Sequence, residues 1–224
     1  MNLLDFSESL KVCFSTFFLS LAGTLIGSLW TDYLYPKAQN RGSLSFPGQI
    51  VKRARYRKPA LFLTLLLCFY KAWHQLSCPE LCYMLIAISL LLFFTVTDFE
   101  QHVILNEMLL PFAAIGLCYT LHLRLSVTEH IFAALGGGLF FILLAIIGKG
   151  AIGGGDIKLI AALGLWLGIK PLASVILYGA MAGGVAALFL LLTQKVQRKQ
   201  YLAYGPYFAL SGIGIILKWL HVMF

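Results

Sequence analysis

Acidic residues are scarce in this chain: nine Asp and Glu stand against seventeen Lys and Arg in 224 residues. Charged residues make up only 12% of the sequence, hydrophobic ones 60%, and the mean hydropathy is +0.86. That balance excludes an ordinary soluble domain and points to a polytopic membrane protein. The net charge of +8 could suggest a nucleic-acid partner. The basic residues, however, sit in short loops between apolar runs, where they orient a chain in the membrane, so no nucleic acid is expected. The five cysteines (Cys13, Cys68, Cys78, Cys82 and Cys118) form no CxxC pair. The closest spacing, Cys78 to Cys82, lacks companion ligands, so neither a metal site nor a disulfide is implied and the cysteines read as small buried hydrophobes. A basic leader region is missing too: Asp5 and Glu8 precede the lone Lys11, and no small-x-small cleavage site follows. The first apolar run is therefore expected to be a retained span.

What the chain has in abundance is long apolar runs, and eight of them read as transmembrane helices. They fall near residues 10–30, 60–73, 80–96, 103–122, 130–147, 157–168, 172–192 and 206–222. The largest hydrophilic segment, residues 31–58, carries seven Lys and Arg against one acid, Asp32. By the positive-inside bias this is a basic cytoplasmic loop, and the N-terminus lies outside. On this scheme twelve of the seventeen Lys and Arg residues are cytoplasmic, including Lys149 and Lys158 and three near Lys195. The expected fold is all-α, a single transmembrane domain over residues 1–224.

Two acids stand out because each ends a long apolar run. Asp98 follows three spans and Asp156 follows five, so both emerge on the cytoplasmic face. An ionisable residue beside hydrocarbon is expensive, and its default reading is functional, with a partner. Two carboxylates brought close together hold one shared proton readily. The ionised member can take a proton from water as it attacks an amide carbonyl. The protonated one polarises that carbonyl and later donates to the leaving nitrogen, a plan that needs no metal. Gly153 and Gly155 beside Asp156 lack Cβ atoms, which permits unusual φ/ψ and close approach of a substrate backbone. Lys158 is a candidate for orienting the site. The structural alternative makes Asp156 the N-cap of a helix beginning at Ile157.

The run Gly153-Gly154-Gly155-Asp156-Ile157-Lys158-Leu159, continuing to Gly164-Leu165-Trp166-Leu167-Gly168, resembles the GxGD signature of the type IV prepilin leader peptidases. Three further blocks agree in order: Gly23 to Ser28 with the GxxxGS of the first span, Thr97-Asp98-Phe99-Glu100 through Pro111 with the first-aspartate motif, and Tyr204 to Ala209 with the PFGPFL block. Arg55-Tyr56 fits as well. The resemblance implies that Asp98 and Asp156 are a catalytic dyad, that Gly153, Gly155 and Lys158 shape the site, and that no metal is needed. It also implies that the substrate is a type IV prepilin or pseudopilin precursor, cut at the cytoplasmic face of a bacterial inner membrane. Membrane lipids are the other expected partner.

Some family members also methylate the new N-terminus with S-adenosylmethionine, an activity linked to a CxxC-bearing cytoplasmic loop. This chain has no cysteine in residues 31–58, and Arg57-Lys58-Pro59-Ala60 replaces the usual Pro-Leu-Val-Glu. Leu105 stands where proline is common. Methyl transfer is therefore weakly implied and proteolysis strongly. A competing reading is a proton- or cation-coupled transporter using the Asp98/Asp156 pair. Glu100, His102 and Glu107 match no ligand spacing and read as a polar helix start facing water. Asp32 is expected to pair with a base of the loop.

Overall fold

A computed structural model describes residues 3–73, 78–148, 152–193 and 204–219. Among them every long element is a helix and no strand occurs. Eight long helices follow one another: α1 (Leu3–Asn40), α2 (Arg57–Trp73), α3 (Cys78–Gln101), α4 (Asn106–His122), α5 (Val127–Ile147), α6 (Gly154–Leu167), α7 (Ile169–Leu192) and α8 (Gly205–Trp219). They correspond in number and order to the eight expected spans. Among the described residues, four segments are long and apolar enough to cross a membrane by length and composition: Lys11–Asn40, Glu80–Gln101, Val127–Ile147 and Ile169–Leu192. Their outward faces carry many exposed large hydrophobics, such as Phe18, Leu135, Leu177 and Val185, which suits lipid and not water. The chain is a multi-pass membrane protein.

Several boundaries differ from those expected. Residues 31–40 continue α1 instead of opening a loop, because Leu34, Tyr35 and Ala38 form a buried stripe that packs past the apolar span. Short helical turns at Pro47–Gln49, Ile50–Arg53 and Ala54–Tyr56 occupy much of the remaining segment. Helix α3 runs five residues beyond Val96, since Thr97, Asp98, Glu100 and Gln101 are all buried within the protein and need no water to end the span. The reversal comes at His102, with φ 52°. Helix α6 begins at Gly154, earlier than the expected Ile157. Lys149 and the basic group Lys195, Arg198 and Lys199 lie outside the described residues.

Packing centres on α6 and α8. Helix α6 contacts α5 most extensively and also α4, α7 and α8, while α8 lies against α3 and α7. Gly164 sets the closest crossing: a Cβ there would lie 2.5 Å from the backbone N of Ala134 on α5. Trp166 Nε1 donates to the Phe112 carbonyl of α4 at 2.8 Å, and its ring stacks between Phe112 and Tyr119. Gly168, at φ 72°, ends α6 in a conformation that favours glycine. The second half of the signature run is thus a set of packing and turn positions.

Candidate active site

Asp98 sits in the last turn of α3 and is 5% exposed; Asp156 sits in the first turn of α6 and is 8% exposed. Helices α3 and α6 meet there through the start of α8. A Cβ at Gly205 would lie 2.5 Å from Asp98 Oδ2 and 3.1 Å from Asp156 Oδ1, so the two oxygens are no farther apart than the sum of those distances. The N–H of Gly205 faces the Asp98 carboxylate, and that of Gly153 faces the carboxylate of Asp156. Asp98 Oδ2 is buried with no hydrogen-bond partner among the described residues. An orphan carboxylate oxygen is costly in a stable scaffold, and the arrangement suits a pair that shares a proton or binds a water.

Asp156 is the third residue of α6, and Gly153 is the N-cap. The Asp156 side chain therefore reaches back toward the cap residue in the manner of a capping box, which corrects the alternative that makes Asp156 itself the cap. The glycine run is conformationally ordinary: Gly153 is extended at φ −71° and ψ 143°, and the positive-φ glycines among the described residues are Gly42 and Gly168. The glycines here provide room, not unusual dihedrals. A Cβ at Gly155 would lie 3.1 Å from Ile104 Cβ, and one at Gly153 would lie 3.5 Å from Asp156 Oδ2. Lys158 Nζ donates to Asn106 Oδ1 at 3.0 Å, tying α6 to the first residue of α4.

Of the three polar residues expected to face water after Asp98, His102 is exposed and Glu107 lies at the surface, but Glu100 does not face water. Glu100 is 4% exposed and receives both Arg57 Nε and Nη2 at 2.8 Å and Tyr35 Oη at 2.7 Å. Arg57 Nη1 continues to Asp32 Oδ1 at 2.6 Å, the pairing expected of Asp32. Burial away from water makes the planar Arg57 fork the natural counter-charge for Glu100. Glu107 pairs with Arg41 at the surface, and the His102 ring lies against Phe46. The segment between α1 and α2 is fastened to the end of α3: Phe46 N donates to Gln101 Oε1 at 3.0 Å, and Arg53 Nη1 donates to the Glu100 carbonyl at 3.0 Å. Among the described residues no group of three or more His, Cys, Asp or Glu could hold a metal ion.

Gly205 and Arg57 are the two site-forming residues that motif reading passed over. Gly205 belongs to the block Tyr204 to Ala209, whose order along the chain was the available signal. Nothing in the local sequence links Arg57 to Glu100.

A cavity of about 770 Å³ at the end of α3 is bounded by Phe99 and Thr95 of α3, Tyr207 of α8, and Lys52 and Arg53. The acid that borders it, Glu100, is committed to Arg57.

Residues 85–188 match the model of the type IV leader peptidase family. The chain is 35% identical over 141 residues to the prepilin leader peptidase/N-methyltransferase of Pectobacterium carotovorum subsp. carotovorum, covering 60% of this chain and 50% of that protein. It is 36% identical over 130 residues to that of Bacillus subtilis (strain 168), covering 56% and 51%. It is 30% identical over 163 residues to that of Pseudomonas aeruginosa, covering 70% and 56%. The chain thus spans about half the length of these curated relatives. No solved structure shows a significant match. Residues 85–188, the stretch that contains both aspartates, are thus similar to the type IV leader peptidase family.

Proposed function

We propose that this protein is a membrane aspartic endopeptidase that removes the short leader of type IV prepilin-like precursors at the cytoplasmic face of a bacterial inner membrane. The observation that carries the reading is the convergence of Asp98 and Asp156 on the Cβ-free face of Gly205. In the reaction the ionised carboxylate takes a proton from water while the water oxygen bonds to the scissile carbonyl carbon. The protonated carboxyl gives its proton to the carbonyl oxygen, forming a gem-diol. The carboxyl that took the water proton then gives it to the amide nitrogen while the other carboxylate takes a proton from a gem-diol hydroxyl; the C–N bond breaks to a carboxylic acid and an amine, and the dyad again holds one shared proton. Gly153, Gly155 and Gly205 let Ile104 and the two carboxylates close in on the backbone, which keeps the acids together.

The relatives' names include N-methyltransferase, an activity that draws on S-adenosylmethionine. The cavity at the end of α3 fits that donor poorly. Lys52 and Arg53 line it and repel a sulfonium, and its acid is neutralised by Arg57. No methyl-transfer step is assigned to these residues.

The test is mass spectrometry of a pilin-like precursor incubated with the purified protein in detergent, beside Asp98→Asn and Asp156→Asn. Trimming at a Gly-hydrophobic junction by the wild type alone is the expected result, and the mass of the new N-terminus reports any added methyl. Equal trimming by the variants would remove the aspartic mechanism.

A further inference from the structure

A second cavity, of about 610 Å³, opens between α5, α7 and α8. Phe140 and Leu144 of α5 form one wall, Leu177 and Ala180 of α7 the other, and the cavity reaches Ile152 and Tyr204 at its inner end. We propose that this groove receives the apolar helix of the precursor, the part that remains after the leader is cut; the proposal rests on the peptidase reading above.

Position is the first argument. Ile152 directly precedes Gly153, and Tyr204 directly precedes Gly205, so the groove ends where the two carboxylates converge. A helix lying in it delivers its N-terminal junction to the dyad. Chemistry is the second. Among the described residues no charged side chain lines the groove, whereas Lys52 and Arg53 line the cavity on the other face of α8. An apolar stem is therefore sorted to one side of α8. Shape is the third. In hydrocarbon two helices associate through close packing and not through water exclusion, so small residues mark the approach. Ala180 lines the groove, and Gly184, one turn farther along α7, has nothing within 4 Å of a built Cβ. The neighbouring glycines are already filled: Gly179 takes the Phe208 ring and Gly183 the Tyr204 ring, which seals the floor against α8 and leaves the outer side open. Leu177 is exposed there.

The experiment uses a cysteine-free background carrying Asp156→Asn, with Leu177→Cys in one protein and Leu67→Cys, on the exposed face of α2, in another. A precursor bearing single cysteines along its apolar helix is added and oxidised. Links to Leu177→Cys are expected at precursor positions three and four residues apart, with none to Leu67→Cys. In the active protein, Ala180→Trp is expected to lower kcat/KM for the precursor roughly ten-fold or more, mainly through KM, while Leu67→Trp cleaves as the wild type does. Equal linking from Leu67→Cys, or Ala180→Trp as fast as Leu67→Trp, would mean that the groove holds lipid chains only. A wild type that leaves the precursor uncut overturns the peptidase reading and this proposal with it. A cutting wild type with no link at Leu177→Cys overturns this proposal alone.

Discussion

Arg57 is 4% exposed, and its guanidinium is divided between both carboxylate oxygens of Glu100 and one of Asp32. Glu100 lies two residues beyond Asp98, so whatever holds Glu100 holds the turn that carries the first aspartate. Removing one member of a buried ion pair leaves the other desolvated, a cost of about 3–5 kcal/mol. Arg57→Ala is accordingly expected to lower the thermal midpoint of the detergent-solubilised protein sharply. Arg57→Lys should fall between, because an ammonium cannot reproduce the two parallel hydrogen bonds of the fork. An unchanged midpoint in Arg57→Ala would show that the cluster contributes no net stability. At this scale the sequence was uneven in what it disclosed. Asp98 and Asp156 were legible because acids at the ends of apolar runs are rare and costly. Glu100 was not, since its burial depends on a partner 43 residues away in the chain.

Helices meet here at positions without Cβ atoms. At Gly164 the obstacle to a side chain is the backbone of Ala134, which cannot swing aside as a side chain can. Gly164→Ala should therefore force α5 and α6 apart and destabilise by about 1–3 kcal/mol. Gly214→Ala, on α8 with nothing within 4 Å, should leave the thermal midpoint where it is. Gly205→Ala is a different case because its nearest neighbours are the carboxylates themselves. Cleavage should be lost there while helical content by circular dichroism is retained; a Gly205→Ala protein that cleaves normally would mean that α8 does not set the dyad spacing. The order of the helices was readable from the apolar runs. Their ends were not, because α1 and α3 extend on buried polar and aromatic contacts that hydropathy scores as loop.

For the molecule as a whole, eight crossings in this order would put the segment before α2 and both aspartates on one side of the membrane, with the α4–α5 turn on the other. In a cysteine-free background a membrane-impermeant maleimide should reach Gly48→Cys from the cytoplasmic side and Arg124→Cys from the outside. Labelling of both from one side would break the alternation on which the common face of Asp98 and Asp156 rests. The sequence by itself determined the all-helical membrane class, the succession of eight helices and the two acids worth asking about. Each of these follows from local composition: apolar length, charge placement and the cost of a carboxylate beside hydrocarbon. Only the tertiary structure decided that α8 brings α3 and α6 together at Gly205, that Arg57 neutralises Glu100, and that an apolar groove and a basic one open on opposite faces of α8. Those outcomes depend on which side chains interlock between helices distant in the chain, and neither periodicity nor charge counting carries that information.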